Sequence, residues 1–215
     1  MAKNVDIGGF LFMSDFFEVA LGRRSVKVYD PNAYISKEEL TELLETAGRA
    51  PSAWNLQQWH FLVFHGKDVQ QKLLPIAYNQ QQIVEASAVI CILGDLQGNL
   101  NTDPVFDPQV ENGEITPELK EILAGQINGA YKRPEYPRDG AILNSSLAAM
   151  QFMLAARAKG YDSCPIGGFN VSGLVETFNV PDRYLPTMLI TVGKALQEGR
   201  PTDRLPINQL VTYAE

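Results

Sequence analysis

Three groups of residues in this 215-residue sequence have the types and spacing to hold a ligand, and the first is Arg23-Arg24-Ser25-Val26-Lys27. In an extended stretch Arg23, Ser25 and Lys27 project to one side and Arg24 to the other, because side chains alternate along a strand. Two cations and a hydroxyl on one face suit a phosphate or another anion. A solvated basic edge is the competing reading, since exposed charges need no ligand. The second group is Arg49-Ala50-Pro51-Ser52-Ala53-Trp54-Asn55-Leu56-Gln57-Gln58-Trp59, which crowds a hydroxyl, several amides and two indoles into one short run. Amides both donate and accept, so Ser52, Asn55, Gln57 and Gln58 fit a flat heterocycle whose edge alternates carbonyl oxygens and ring nitrogens. The same groups serve equally well to cap the loop itself. The third group is Pro165-Ile166-Gly167-Gly168-Phe169, where paired glycines allow a close backbone approach to a ligand or simply make a turn.

Other chemistries lack their residues. The sequence contains neither the GxGxxG nor the P-loop pattern, so Rossmann-type dinucleotide binding is unsupported. Ser52 or Cys164 as a nucleophile with His60 or His65 would need an elbow or an oriented partner, and neither pattern is present. Two histidines without paired spacing make no metal centre, and Asp95, Asp103 and Asp107 do not reproduce a calcium loop and read as solvated turns. Asp and Glu outnumber Lys and Arg by 25 to 18, and the net charge of -7 argues against a nucleic-acid backbone binder or an anionic-membrane binder. Any anion site must be local. Two cysteines, Cys91 in an apolar run and Cys164 before a proline, form no disulfide framework, which points to a reducing cytoplasm. The longest apolar region, 141–158, is interrupted by Asn144, Ser145, Ser146, Gln151 and Arg157 and reads as a buried helix, not a membrane span.

The elements that position these groups are partly legible. A short helix near Ser14–Leu21 leads into an extended stretch containing Val26, Val28 and Tyr29, which ends at the Asp30-Pro31-Asn32 turn. Ser36 is placed to cap a helix with Glu39 as its capping-box partner, and Leu40, Leu43, Leu44 and Ala47 make its apolar face. The ring-holding loop follows, then His60–Phe64 as a buried strand, a helix from Lys67 towards Pro75, a polar turn at Asn79–Gln82, and a strand at Val89–Leu93. From Asp95 to Pro117 the chain makes a long excursion with at most a short helix near Pro104–Glu111. A helix near Pro117–Gly129 and the aromatic segment Tyr131–Pro137, placed to lie over a pocket, precede a long helix at Asp139–Lys159 that stops at Gly160. That helix is apolar nearly all round, so something must cover every side, and a second subunit is the natural cover. A small helix at Val171–Phe178, a strand at Thr187–Val192 and an extended tail from Arg204 complete the chain. Residues 1–13 lack the features of a secretory signal and read as an N-terminal extension, non-native or disordered, ahead of a single domain spanning 14–215.

Taken in order, Arg23–Lys27, Ala50–Trp59, Pro165–Phe169 and Arg204-Leu205-Pro206 resemble the FMN-dependent, oxygen-insensitive nitroreductase family, with matching spacing from about Ser14 onward. The resemblance implies an α+β fold, a mixed and mostly antiparallel sheet flanked by helices, in an intertwined homodimer. Two FMN sites would lie at the subunit interface, and a C-terminal tail would reach to the partner. It further implies that Arg23, Ser25 and Arg204, with Arg24 nearby, hold the phosphate and ribityl chain, and that Lys27 lies at the ring's N1 and O2 edge. By the same likeness Asn79 and Gln82 meet the pyrimidine edge, and Pro165, Ile166, Gly167 and Gly168 line the ring, a backbone amide addressing N5. Pro51, Ser52, Ala53 and Asn55 would come from the partner. No side chain is implied as a catalytic acid or base. The implied reaction is two-electron ping-pong transfer from NADH or NADPH through the flavin to nitroaromatics or quinones. Trp54, Tyr131 and Tyr136 are candidates for the substrate pocket, with aromatic packing as the rival role. A flavin carrier or sensor without turnover, or reductive dehalogenation on the same fold, are the alternatives. Two positions depart from the family pattern, Gly167 where Glu is common and Thr202 where a second basic residue is common. The latter leaves the phosphate short of a cation unless Arg200 or Arg24 substitutes.

Overall fold

The computed structural model describes residues 15–214, so the extension expected at 1–13 lies outside the described residues. In chain order the elements are α1 (Phe16–Gly22), α2 (Lys37–Ala47), β1 (Trp59–Phe64), α3 (Lys67–Leu73), α4 (Gln82–Glu85), β2 (Ala88–Asp95), α5 (Thr102–Glu111), α6 (Pro117–Tyr131), α7 (Tyr136–Ala158), β3 (Asp162–Ile166), α8 (Val171–Phe178) and β4 (Tyr184–Gly193). The four strands form one sheet in the order β1-β2-β4-β3, and every ladder is antiparallel. Parallel pairing is confined to an isolated bridge between Ser25 and Ser163. The fold is α+β, as expected.

All of β2 is buried because both of its faces are covered. Alternation sends Ala88, Ile90 and Ile92 towards α2 and α7, where Leu40, Leu43, Phe152 and Ala156 meet them. It sends Val89, Cys91 and Leu93 the other way, against Leu73, Ile83 and Leu174. Truncating a side chain such as Ile90 to Ala in a layer packed on both sides costs about 2–5 kcal/mol. The α2 capping box forms as read, with Glu39 N donating to Ser36 Oγ at 3.0 Å and Ser36 N donating to Glu39 Oε2 at 3.1 Å. Among the described residues no helix is long and apolar enough to cross a membrane.

One strand expectation needs correction, and one strand was not read from the sequence. His60–Phe64 was expected to be buried on both faces, but β1 is an outer strand whose only buried residue is Phe64, because it pairs on one side alone. Pro165 disguised β3: a proline lacks the ladder N–H and is tolerated at a sheet edge, and β3 is the other outer strand. In the 95–117 excursion α5 is a full ten-residue helix. The acids there have structural partners: Asp103 and Asp107 pair with Lys120, and buried Asp95 pairs with Arg183.

Candidate functional site

The basic cluster becomes one wall of a concave site. After α1 the chain runs along the β3 edge, where Val26 N donates to the Ser163 carbonyl at 3.2 Å. This pairing buries Val26 and leaves Ser25 and Lys27 outward. The returning C-terminal segment is tied to the same stretch, since Asp30 N donates to Lys194 O at 2.9 Å and Leu196 N to Val28 O at 3.0 Å. Between the two segments lies a cavity of about 480 Å³ lined by Arg23, Arg24, Ser25, Lys27, Arg200, Thr202 and Arg204, with Glu198 the one acid on its wall. Residues distant in sequence, Arg23 and Arg204, thus share a wall in one chain.

Beside this cradle lies the polar turn before α4. Buried Gln82 donates from Nε2 to Gln80 Oε1 at 3.1 Å, and Gln80 Nε2 donates to the Gly168 carbonyl at 3.0 Å. Asn79 is exposed with a left-handed backbone, φ 55°. The chain from Asn79 to Gln82 is therefore joined to the Gly167-Gly168 turn that follows β3. A side chain at either glycine would meet nothing within 4 Å, so the space above the turn is open. Ile166 points into the core, and Pro165 is half-buried on the outer strand. Burial pushes the Cys164 thiol up in pKa, and Lys27, Ser25, Arg23 and Gln82 around it oppose that shift. Arg23 Nη1, Gln82 Oε1 and, on β3, Ser163 Oγ are buried here without a partner. A buried polar atom left unpaired costs about 1–3 kcal/mol, and Arg23 Nη1, on a residue that lines the cavity, is placed for a polar ligand to satisfy.

The loop before β1 is built differently. Ser52 Oγ accepts from Gln57 N at 2.9 Å, Ala53 N donates to Asn144 Oδ1 at 2.9 Å, and Asn101 Nδ2 donates to Leu56 O at 2.8 Å. Leu56 is buried against Phe106 and Ile127. These ties hold Trp54, Asn55 and Gln57 at φ 50°, 55° and 50°, a left-handed conformation that non-glycine residues seldom adopt. Asn144 is the polar break in the long apolar helix, and here it is an anchor. Gln58 is fully buried beside Tyr131 and Gly98, turned away from the loop surface. Pro51 and Asn55 remain exposed.

Trp54, Tyr131 and Tyr136 come together as an edge-to-face group, with ring centroids 6.2 Å apart for Trp54 and Tyr136 and 5.2 Å for Tyr131 and Tyr136. Arg133 stacks 5.0 Å from the centre of the Tyr136 ring. Burial pushes the Tyr131 phenol up to about 12, so it stays protonated at neutral pH. Its hydroxyl is turned inward towards Gln58 and Gly98, and so the ring packs.

One copy does not bring cradle and loop together. The loop leads into β1, one outer strand, and the cradle flanks β3, the other, with β2 and β4 between. Four adjacent strands place the outer two about 14 Å apart. Trp59 lies opposite Gly94 and so at the Leu185 end of β4, whereas Ser163 pairs with Val192 near its other end. Seven residues along a strand add about 24 Å, which sets the two groups at opposite corners of the sheet. Gly199, Gln80 and Asn144 were not picked out from the sequence as site residues. Gly199, in the Glu198-Gly199-Arg200-Pro201 run, and Gln80, in the polar turn at Asn79–Gln82, carry local turn signals, and Asn144 carries none. Among the described residues no group of three His, Cys, Asp or Glu is placed to hold a metal ion.

Comparison with known proteins identifies the family. YodC of Bacillus subtilis (strain 168), named "Putative NAD(P)H nitroreductase", is 54% identical over 201 residues, covering 94% of this chain and 100% of YodC. The CLA biosynthesis enone reductase of Lactiplantibacillus plantarum is 35% identical over 199 residues, covering 90% and 92%. A solved structure from Exiguobacterium sibiricum 255-15, described as a "putative nitroreductase in complex with FMN", superposes with a TM-score of 0.88 at 40% identity, covering 95% of this chain and 99% of that one. The family model for nitroreductases matches residues 20–194, which takes in the cation cluster, the loop, the glycine turn and every strand. By this match and these relatives, the chain belongs to the nitroreductase family.

Proposed function

We propose that this chain is an FMN-dependent NAD(P)H oxidoreductase, a single domain over 14–215 acting as a homodimer in the cytoplasm, which reduces nitroaromatics, quinones or related acceptors. The observation that carries the reading is the cradle, where cations converge in an acidic protein and Arg23 Nη1 is buried without a partner, with Gln82 Oε1 likewise unpaired in the turn beside it. These residues fit FMN. Arg23, Ser25 and Arg204 suit its phosphate and ribityl arm, and Asn79 and Gln82 suit its pyrimidine edge. The open space over Gly167-Gly168 admits a flat ring against backbone. Bound there, FMN supplies the two-electron chemistry between nicotinamide and acceptor. Lys27 lines the same cavity and would offer positive charge to the reduced ring. Donor and acceptor would take turns in the same space, a ping-pong order, and Trp54 and Tyr136, brought by the second copy with its loop, would wall that space.

Homodimerisation is supported by the separation of cradle and loop, since a second copy can bring its loop to the first copy's cradle. It is supported also by α7, where Leu143, Leu147 and Met150 are 65%, 42% and 40% exposed on one helical face, and by the exposed tail residues Leu205, Ile207, Leu210 and Tyr213. Apolar surface of this kind marks an interface. The enone reductase among the relatives adds α,β-unsaturated ketones to the acceptor classes worth testing. The test is anaerobic reduction of the FMN-loaded protein with NADH and with NADPH, followed by mixing with nitroaromatic, quinone and enone acceptors. Bleaching of the flavin by nicotinamide and its recovery with an acceptor is the expected result. Protein that neither retains nor takes up FMN refutes the reading, and bleaching without acceptor-dependent recovery leaves a flavin carrier or sensor.

A further inference from the structure

The cations around the cradle are not equivalent. Arg24 is fastened to its own helix end, its Nη1 donating to the carbonyls of Leu21 at 2.5 Å and Arg23 at 2.9 Å, where it answers the free carbonyls at the close of α1. Arg204 Nη1 donates to Thr202 Oγ1 at 2.8 Å and to the Asp203 carbonyl at 3.0 Å. Thr202 is therefore a brace for Arg204 and brings no charge of its own. Arg200 lines the same cavity, and among the described residues its side chain has no hydrogen bond or ion pair.

The position of Arg200 is fixed by its neighbour. A Cβ built on Gly199 would lie 2.6 Å from Arg24 Cβ and 3.0 Å from the Ser25 carbonyl oxygen. Real Cβ atoms do not approach so closely, so only glycine lets the returning backbone lie against Arg24 and Ser25. Upstream, the hydrogen bond from Leu196 N to Val28 O pins the same segment. Arg200 is thus delivered to the cavity from an anchored point, free to meet a ligand.

We infer that Arg200 is the residue by which this chain distinguishes a phosphorylated flavin from its dephosphorylated form, acting beside Arg204, while Arg24 serves the fold. The inference rests on the proposed FMN site. A phosphomonoester carries close to two negative charges at neutral pH, and a guanidinium with all its donors free is the group suited to it.

The test is titration of flavin-free protein with FMN and with riboflavin, followed by the quenching of flavin fluorescence, for wild type, Arg200→Ala, Arg24→Ala and Gly199→Ala. Losing one charge-assisted contact weakens FMN binding by about tenfold or more in Arg200→Ala. Riboflavin affinity stays within about twofold, because riboflavin has no phosphate for Arg200 to meet. Arg24→Ala changes the preference for FMN by about threefold at most, and Gly199→Ala, which displaces the anchored backbone, follows Arg200→Ala. An unchanged FMN preference in Arg200→Ala overturns the inference, as does an equal loss of both flavins or a larger loss in Arg24→Ala. Wild-type protein that binds neither flavin overturns the FMN site itself and this assignment with it. Wild-type binding of FMN with an unaffected Arg200→Ala sinks the Arg200 role alone.

Discussion

At the β3 edge, Arg23 Nη1 and Gln82 Oε1 are buried with no partner beside an open cavity, whereas at the start of β1 Ser52, Asn144 and Asn101 tie the loop's backbone, and the unpaired amide atoms of Gln58 lie fully buried beneath it. The two regions differ in what they leave within a ligand's reach. The cradle leaves hydrogen-bonding capacity unused, so a ligand that restores it also stabilises the protein. The loop's backbone is tied through side chains and holds Trp54, Asn55 and Gln57 in a left-handed conformation, so much of its cost is conformational and its shape is fixed before any ligand arrives. One region is built to receive charge, and the other is a rigid wall.

The sharpest way to break this contrast is to remove what holds the wall. Asp95 is buried and bidentate to Arg183, at 2.9 and 2.6 Å, and its backbone N–H donates to the Gln58 carbonyl at the end of the loop. Asp95→Ala strands a partly buried guanidinium and should cost about 3 kcal/mol in urea unfolding. A loss below about 1 kcal/mol would show that the pair does not support the loop.

Next in size is the response to ligand. FMN at about a hundred times its Kd should raise wild-type stability by about 2.7 kcal/mol. Arg23→Ala combined with Arg204→Ala should erase that gain in a thermal shift titration, with ligand-free stability within about 1 kcal/mol of wild type. An undiminished gain in the double variant would move the phosphate away from the cradle.

The smallest effect probes the loop's backbone. Asn55→Gly should be neutral or stabilising by up to about 1 kcal/mol, and Asn55→Ala about 1 kcal/mol worse than Asn55→Gly, since only glycine takes φ 55° freely. Equal stability of the two in denaturant unfolding would mean that the loop is not held in that conformation.

Local chemistry made much of this visible in the sequence. Ser36 and Glu39 announce a capping box because its partners are three residues apart, and β2 announces itself by an unbroken apolar run. The cation cluster, the loop and the glycine turn were each visible, and their order carried the family resemblance. What stayed hidden depends on distant neighbours. Nothing local says that β1 is an outer strand, that Pro165 sits in β3, or that Asn144 reaches back across 91 residues to hold Ala53. Gly199 looks like any turn glycine until Arg24 and Ser25 are seen pressed against it.

In the proposed homodimer, cradle and loop from different copies complete one site. Two inactive chains can test it, one carrying Arg23→Ala with Arg204→Ala, the other carrying Pro51→Trp to block the exposed loop. Each alone should bind little FMN. Co-expressed with different tags and isolated as the mixed dimer, they should regain about half the wild-type FMN content, because one intact cradle then faces one intact loop. A mixed dimer as empty as its parents would contradict the shared site.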